Sequence, residues 1–160
     1  MGFIIKKKEN SNFNNPKEMY KDYKNRTISG LLDYQTEMIN IYMDKAYNKE
    51  DIALELPTGS GKTLVGLVIG EYRRRKNKEK VVYLCPNNQL VHQVEVQAIE
   101  NYGIQVDTFT GKFKNYSPKS KSSYKRADKI AITNYSSFLI IVRFLMMLTL
   151  RKITLLLIGI

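Results

Sequence analysis

Gly59, Gly61, Lys62 and Thr63 stand close together in the stretch PTGSGKT, residues 57 to 63. Residue types in that order suit the holding of a phosphorylated ligand. The two glycines let the backbone curl and approach closely, so that successive N–H groups point at an anion. Lys62 brings a positive charge to the β- and γ-phosphates of a nucleoside triphosphate, and the Thr63 hydroxyl is a hard oxygen donor for Mg²⁺. Thr58, Gly59, Ser60, Gly61, Lys62 and Thr63 are therefore expected to hold ATP, with Thr63 on the metal and Lys62 and Thr63 nearest the chemistry.

A phosphate cradle of this kind needs a strand before it and a helix after it. DIALEL, residues 51 to 56, reads as a short strand leading into Pro57. Beyond Gly61, the residues Leu64, Val65, Val68, Ile69 and Tyr72 recur at helical spacing, and the helix runs out in the basic segment RRRKNKEK. VVYLC then reads as a buried strand. Asn87 or Asn88 can cap a following helix with the face Leu90, Val91, Val94, Ala98 and Ile99, stopped at Gly103. IQVDTF and KIAIT read as further strands, separated by a polar, basic loop, residues 111–129, that has no apolar period.

Upstream, Asp33 is placed to cap a helix reaching about Tyr47, with Tyr34, Met38, Ile41, Tyr42 and Lys45 at helical spacing. Residues 1–16 are Lys- and Asn-rich and end at Pro16, the composition of a mobile leader. Strands alternating with helices predict an α/β fold, a parallel sheet with helices on both faces.

The 160 residues leave room for about one domain. A hydrophobic share of 43% and a charged share of 26% are globular values. The 26 basic against 15 acidic residues give a net charge of +11, which favours polyanionic partners such as nucleic acid. A lysine-rich solvated surface has the same composition, so charge by itself decides nothing. Cys85 is the only cysteine, which excludes an intrachain disulfide, and no secretory signal is visible at the start MGFIIKKKENS, so the cytoplasm is the expected compartment.

PTGSGKT together with YLCPNNQLVHQ resembles motifs I and Ia of superfamily 2 helicases, the DEAD/DEAH-type, RecA-like nucleic-acid motors. Motif Ia of that family commonly reads Pro-Thr-x-x-Leu-x-x-Gln; Pro86, Leu90 and Gln93 match, and Asn87 replaces the threonine. LLDYQTEMI resembles the family's Q motif, in which Gln35 would read the adenine edge. ITNYSSF resembles the segment before motif II, with Thr133, Tyr135 and Ser136 facing nucleic acid. The resemblance implies a P-loop NTPase, a partial RecA-like domain over residues 17–138, using ATP and Mg²⁺ to move on or unwind DNA or RNA. Pro86, Asn87, Gln93, Thr133 and Tyr135 would form its nucleic-acid face. Taken singly, Gln35 also reads as an exposed helix residue, Tyr34 and Tyr135 as core or rim aromatics, and His92 as a helix-surface residue.

A motor of this kind also needs an acidic motif, Asp-Glu-x-x, to hold Mg²⁺ and orient the attacking water. No Asp or Glu follows Asp128. The chain is therefore expected to be incompetent alone, its C-terminal motor portion encoded separately; the alternative function is a non-enzymatic nucleic-acid-binding fragment. Residues 139–160 turn abruptly to Leu, Ile and Met, and Arg143, Arg151 and Lys152 interrupt the run, which argues against membrane insertion. Two readings of this tail stay open. It is a buried helix and strand of the domain, or a product of translation out of frame, since regrouping the bases around Met146 and Met147 yields Asp followed by Ala or Val.

Overall fold

KVVYLC and IAITN are runs of β-branched and apolar residues buried along their whole length, the pattern of strands covered on both faces. The computed structural model of the chain describes residues 12–49, 52–138 and 153–157. Its elements are α1 (Pro16–Lys21), α2 (Asp33–Lys45), α3 (Lys62–Asn77), β1 (Lys80–Cys85), α4 (Asn88–Val96), β2 (Val106–Phe109), α5 (Pro118–Lys125), β3 (Ile130–Asn134) and β4 (Ile153–Leu157). The strands form one sheet in the order β2-β3-β1-β4, and every pairing is parallel. Parallel neighbours need long crossovers, which α4 and α5 provide.

Alternation along β1 divides the interior in two. Val81, Tyr83 and Cys85 enter a large core with Met19 and Tyr20 of α1, Ile39 and Tyr42 of α2, Leu67 and Val68 of α3, and Val91 and Val94 of α4. Val82 and Leu84 point the other way, against Phe109, Tyr116 and Tyr124. Helices therefore cover both faces of a parallel sheet, and the fold is a partial RecA-like P-loop α/β domain.

Several local expectations change. DIALEL forms no strand: residues 52–57 pair with none of the four, and Ile52 and Leu54 are exposed. Strand composition does not by itself make a strand: the backbone needs a hydrogen-bonding neighbour, and none of the sheet's pairings includes residues 52–57. In α2 the N-cap is Leu32, not Asp33, and the buried residues are Gln35, Ile39 and Tyr42, while Tyr34 and Ile41 are exposed. The basic loop contains α5 and a short 3-10 turn, Phe113–Asn115, pinned from the far face by Tyr116 and Tyr124 packed edge-on against Phe109. Packing begins before Pro16: Phe13 is buried, and the Asn15 side chain caps α1 by accepting from Glu18 N–H at 2.8 Å. Residues 1–11 of the expected leader lie outside the described residues, as do residues 139–152 and 158–160 of the tail.

The arginines at the end of α3 are not a solvated run. Arg73, Arg74 and Arg75 are buried. Arg74 binds both oxygens of Glu71 at 2.7 Å and donates to the Ala127 carbonyl at 2.8 Å, which anchors the turn into β3. Arg73 makes a two-toothed pair with Glu79, at 2.6 and 3.1 Å, and donates to the Tyr42 hydroxyl at 2.7 Å. Arg75 lies over the rings of Phe13 and Tyr23. Burying charge is tolerable only when it is paired and hydrogen-bonded. These contacts hold α1, α2 and the residues before β3 around α3, which fixes the helix that follows the PTGSGKT turn.

Candidate functional site

The loop before α3 has the backbone its glycines require. Gly59 has φ +79° and Gly61 has φ +73°, in the left-handed region, and Ser60 N–H donates to the Pro57 carbonyl at 3.2 Å. Gly61 is the N-cap of α3 and offers no side chain, so no side-chain hydrogen bond closes the first turn. Lys62 is the first residue of α3 and Thr63 the second, both half-buried. Among the described residues Lys62 forms no ion pair. Thr58 and Gly59 are exposed, and the Ser60 hydroxyl is buried without a hydrogen-bond partner among the described residues.

These features fit a polyphosphate. First-turn N–H groups and the positive end of a sixteen-residue helix favour an anion, and a buried hydroxyl without a partner costs free energy that an acceptor oxygen would recover. Among the described residues no group of three or more His, Cys, Asp and Glu could hold a metal ion. A Mg²⁺ that arrives with its phosphates takes few protein ligands, and a hydroxyl such as that of Thr63 is a hard oxygen donor of the kind it accepts.

Gln35 joins this loop from α2. Its Oε1 accepts from Leu32 N–H at 3.0 Å, and its Nε2 donates to the Ser60 carbonyl at 2.9 Å. The side chain is buried, and both ends of the amide are engaged within the protein. Gln35 therefore braces the loop, and its amide keeps one further acceptor lone pair and one further N–H.

The other predicted residues gather at the carboxyl ends of the strands, where ligands bind in open α/β sheets. Pro86 is half-buried just after β1, and Asn87 and Gln93 are exposed. The Asn87 side-chain oxygen is occupied as the cap of α4, accepting from Leu90 N–H at 2.9 Å. After β3, Tyr135 is 44% exposed and Ser136 is also exposed. Thr133 is not on this surface: it is fully buried, and its hydroxyl donates to the Phe109 carbonyl. Asn134 links the two neighbouring ends by donating to the Asn88 side chain, and its own oxygen accepts from Ser137 N–H at 2.6 Å. Gly111 N–H, just past β2, donates to the Ser137 hydroxyl at 3.2 Å. Sequence reasoning missed Asn88, Asn134 and Ser137, whose polar types carry no periodic signal.

His92 is exposed and faces Glu95 at 3.5 Å, a surface pair on α4. Among the described residues no helix is long and apolar enough to cross a membrane.

A family model described as "Type III restriction enzyme, res subunit" matches residues 28–157. The match takes in Gln35, residues 57–63, the Pro86 to Gln93 segment and all four strands. No curated protein and no solved structure matches the chain.

Proposed function

Since the chain belongs to the type III restriction enzyme res subunit family, a superfamily 2 helicase-like N-terminal ATPase domain, we propose that it is the ATP-binding portion of a nucleic-acid translocase or helicase. DNA is the track this reading assigns, being the polymer on which a restriction enzyme acts. The observation that carries it is the loop itself: two left-handed glycines and the buried Ser60 hydroxyl stand at the uncapped start of α3.

Phosphoryl transfer needs little covalent help from the protein, so catalysis is mostly positioning and charge stabilisation. The N–H groups of the loop and the first turn of α3 receive the phosphates, and Lys62 offsets their charge. Thr63 offers its oxygen to Mg²⁺, which when bound neutralises phosphate oxygens as charge shifts to the leaving group. Gln35 keeps the loop in its receiving conformation through Ser60. Pro86, Asn87, Gln93, Tyr135 and Ser136 form the surface across which a nucleic-acid strand passes.

Titration of the 160-residue chain with a fluorescent ATP analogue and Mg²⁺ tests the nucleotide site. Saturable binding that Lys62→Ala weakens about a hundredfold, with unchanged circular dichroism, is the expected result. Equal binding by the variant overturns the reading. Hydrolysis stimulated by added DNA would mark the chain as a motor in its own right; binding of DNA with no nucleotide binding would make it a non-enzymatic nucleic-acid-binding protein.

A further inference from the structure

Asn134, the last residue of β3, is 8% exposed and has a partner at each end of its side-chain amide. Its Oδ1 accepts from Ser137 N–H at 2.6 Å, and its Nδ2 donates to the Asn88 Oδ1. The first contact dictates the second. A backbone N–H can only donate, so the Asn134 atom that meets Ser137 must be oxygen and the opposite end must be the NH₂ group. The Asn88 atom facing that NH₂ must then be an acceptor, its own oxygen. Ser137 is in turn tied to the end of β2, where its hydroxyl accepts from Gly111 N–H at 3.2 Å. Asn134 is thus held from one side and sets the orientation of Asn88 on the other.

Asn88 opens α4, close to Asn134 because β1 ends at Cys85, the register partner of Asn134. Unlike Asn134 it is exposed, and α4 is capped by Asn87, so the helix start does not require the Asn88 side chain. With its oxygen engaged by Asn134, its N–H groups are left to solvent and have no partner among the described residues. The amide therefore presents donors to this surface. An asparagine that reads adenine uses donor and acceptor together, whereas a phosphate oxygen asks only for donors. We propose that Asn88 donates to a backbone phosphate of the bound nucleic acid, and that Asn134, too buried to reach it, is the positioning residue that keeps the Asn88 oxygen inward. The proposal rests on the nucleic-acid surface proposed above, to which it adds a contact that carries no sequence information.

Asn134→Ser divides the two contacts of Asn134, since serine still accepts from Ser137 N–H as a helix cap does but is too short to reach Asn88. Affinity for two fluorescein-labelled DNA duplexes of unrelated sequence is measured by anisotropy on the wild-type chain, Asn134→Ser, Asn88→Ala and the double variant, with thermal unfolding recorded for each. The expected result is that Asn134→Ser weakens binding of both duplexes about five- to tenfold, the effect of one hydrogen bond, and weakens it no further in the Asn88→Ala background. Equal losses in the two backgrounds mean that Asn134 acts only through the fold, and overturn the inference. Unchanged affinity in Asn134→Ser overturns it as well. A loss confined to one duplex places Asn88 against a base and overturns the phosphate assignment. A wild-type chain that binds neither duplex defeats the nucleic-acid reading beneath, and the inference with it. Should Asn134→Ser unfold, the wild-type chain still decides. The Asn88 side-chain NH₂ resonances, identified by their loss in Asn88→Ala, are expected to shift when duplex is added, and unmoved resonances overturn the proposal.

Discussion

A Cβ atom on residue 61 would stand 2.5 Å from the Gln35 Nε2, so Gly61 and Gln35 fit together only because residue 61 has no side chain. Gln35 cannot step aside freely, because that nitrogen holds the Ser60 carbonyl at 2.9 Å and the other end of its amide holds Leu32 N–H. The glycine at the start of α3 thus serves two needs, a left-handed backbone and clearance for the brace from α2.

This contact predicts a coupled pair of substitutions. Gly61→Ala is expected to cost about 2–3 kcal/mol, of which about 1 is the left-handed backbone and the rest the displaced Gln35 bonds. In a Gln35→Ala background the same change should cost only the backbone share, about 1 kcal/mol, because the bonds are already gone. Urea unfolding of the four chains measures both values. Simple additivity would show that the two residues do not meet.

The Arg74–Glu71 pair predicts a larger loss. Both side chains are 3% exposed, and the Tyr23 hydroxyl also donates to Glu71. Glu71→Gln removes the charge that compensates the buried guanidinium and is expected to cost about 3–5 kcal/mol. Replacing both partners by leucine removes the two charges together and should cost less than Glu71→Gln alone, with a remaining loss from the Ala127 carbonyl that Arg74 holds. Denaturant midpoints rank the variants; a double variant weaker than the single one would refute the argument.

Legibility in the sequence followed the range over which each feature is specified. The turn into α3 was readable because Gly59 and Gly61, which adopt left-handed backbone there, and the helix start at Lys62 are specified within one turn of chain. β1, β2 and β3 were readable because apolar runs between turn signals require no distant partner to recognise. The buried face of α2 was readable only in part: Tyr42 was expected and is buried, but Gln35, which is buried beside Ile39, is a polar side chain held by Leu32 and Ser60 outside the helix. The burial of RRR carried no signal in the sequence for the same reason: Glu71, Glu79 and Ala127 are what make it possible. DIALEL has strand composition, yet a strand is a pairing, and composition does not supply the partner.

Buried ionisable groups set the alkaline limit of the fold. Burial pushes the Cys85 thiol from 9.0 up to about 11, and burial pushes the Tyr20 phenol from 10.0 up to about 12 against the lowering effect of Arg26. Both groups are neutral when protonated, and the folded state binds their protons more tightly than the unfolded state. Their contribution is therefore fully present below pH 9 and is lost as pH rises through about 11 and 12. Denaturant unfolding from neutral pH to about pH 11 should show stability falling only in the upper part of that range, and Cys85→Ala should flatten the first part of the fall. A decline beginning near neutrality would point to other groups.

The basic stretch from Gly111 to Arg126 predicts a graded response to salt. Lys112, Lys114 and Lys119 are exposed, whereas Arg126 is paired with Asp128 at 2.6 Å. Lys112 follows Gly111, whose N–H is bonded to Ser137 beside the exposed Tyr135 and Ser136, so it belongs to the carboxyl-end surface. Lys119 is in α5, the helix packed near β2 on the second face of the sheet. A lysine that neutralises a phosphate releases about one counterion, and its loss should lower the salt slope of DNA binding by about 0.7–0.9. Lys112→Gln is therefore expected to reduce the slope by nearly that amount and Lys119→Gln to leave it unchanged, with ATP affinity the same in both. Filter binding or anisotropy over a range of salt reads the slopes directly. Equal slopes for the wild-type chain and Lys112→Gln would mean that Lys112 is only solvated and neutralises no phosphate.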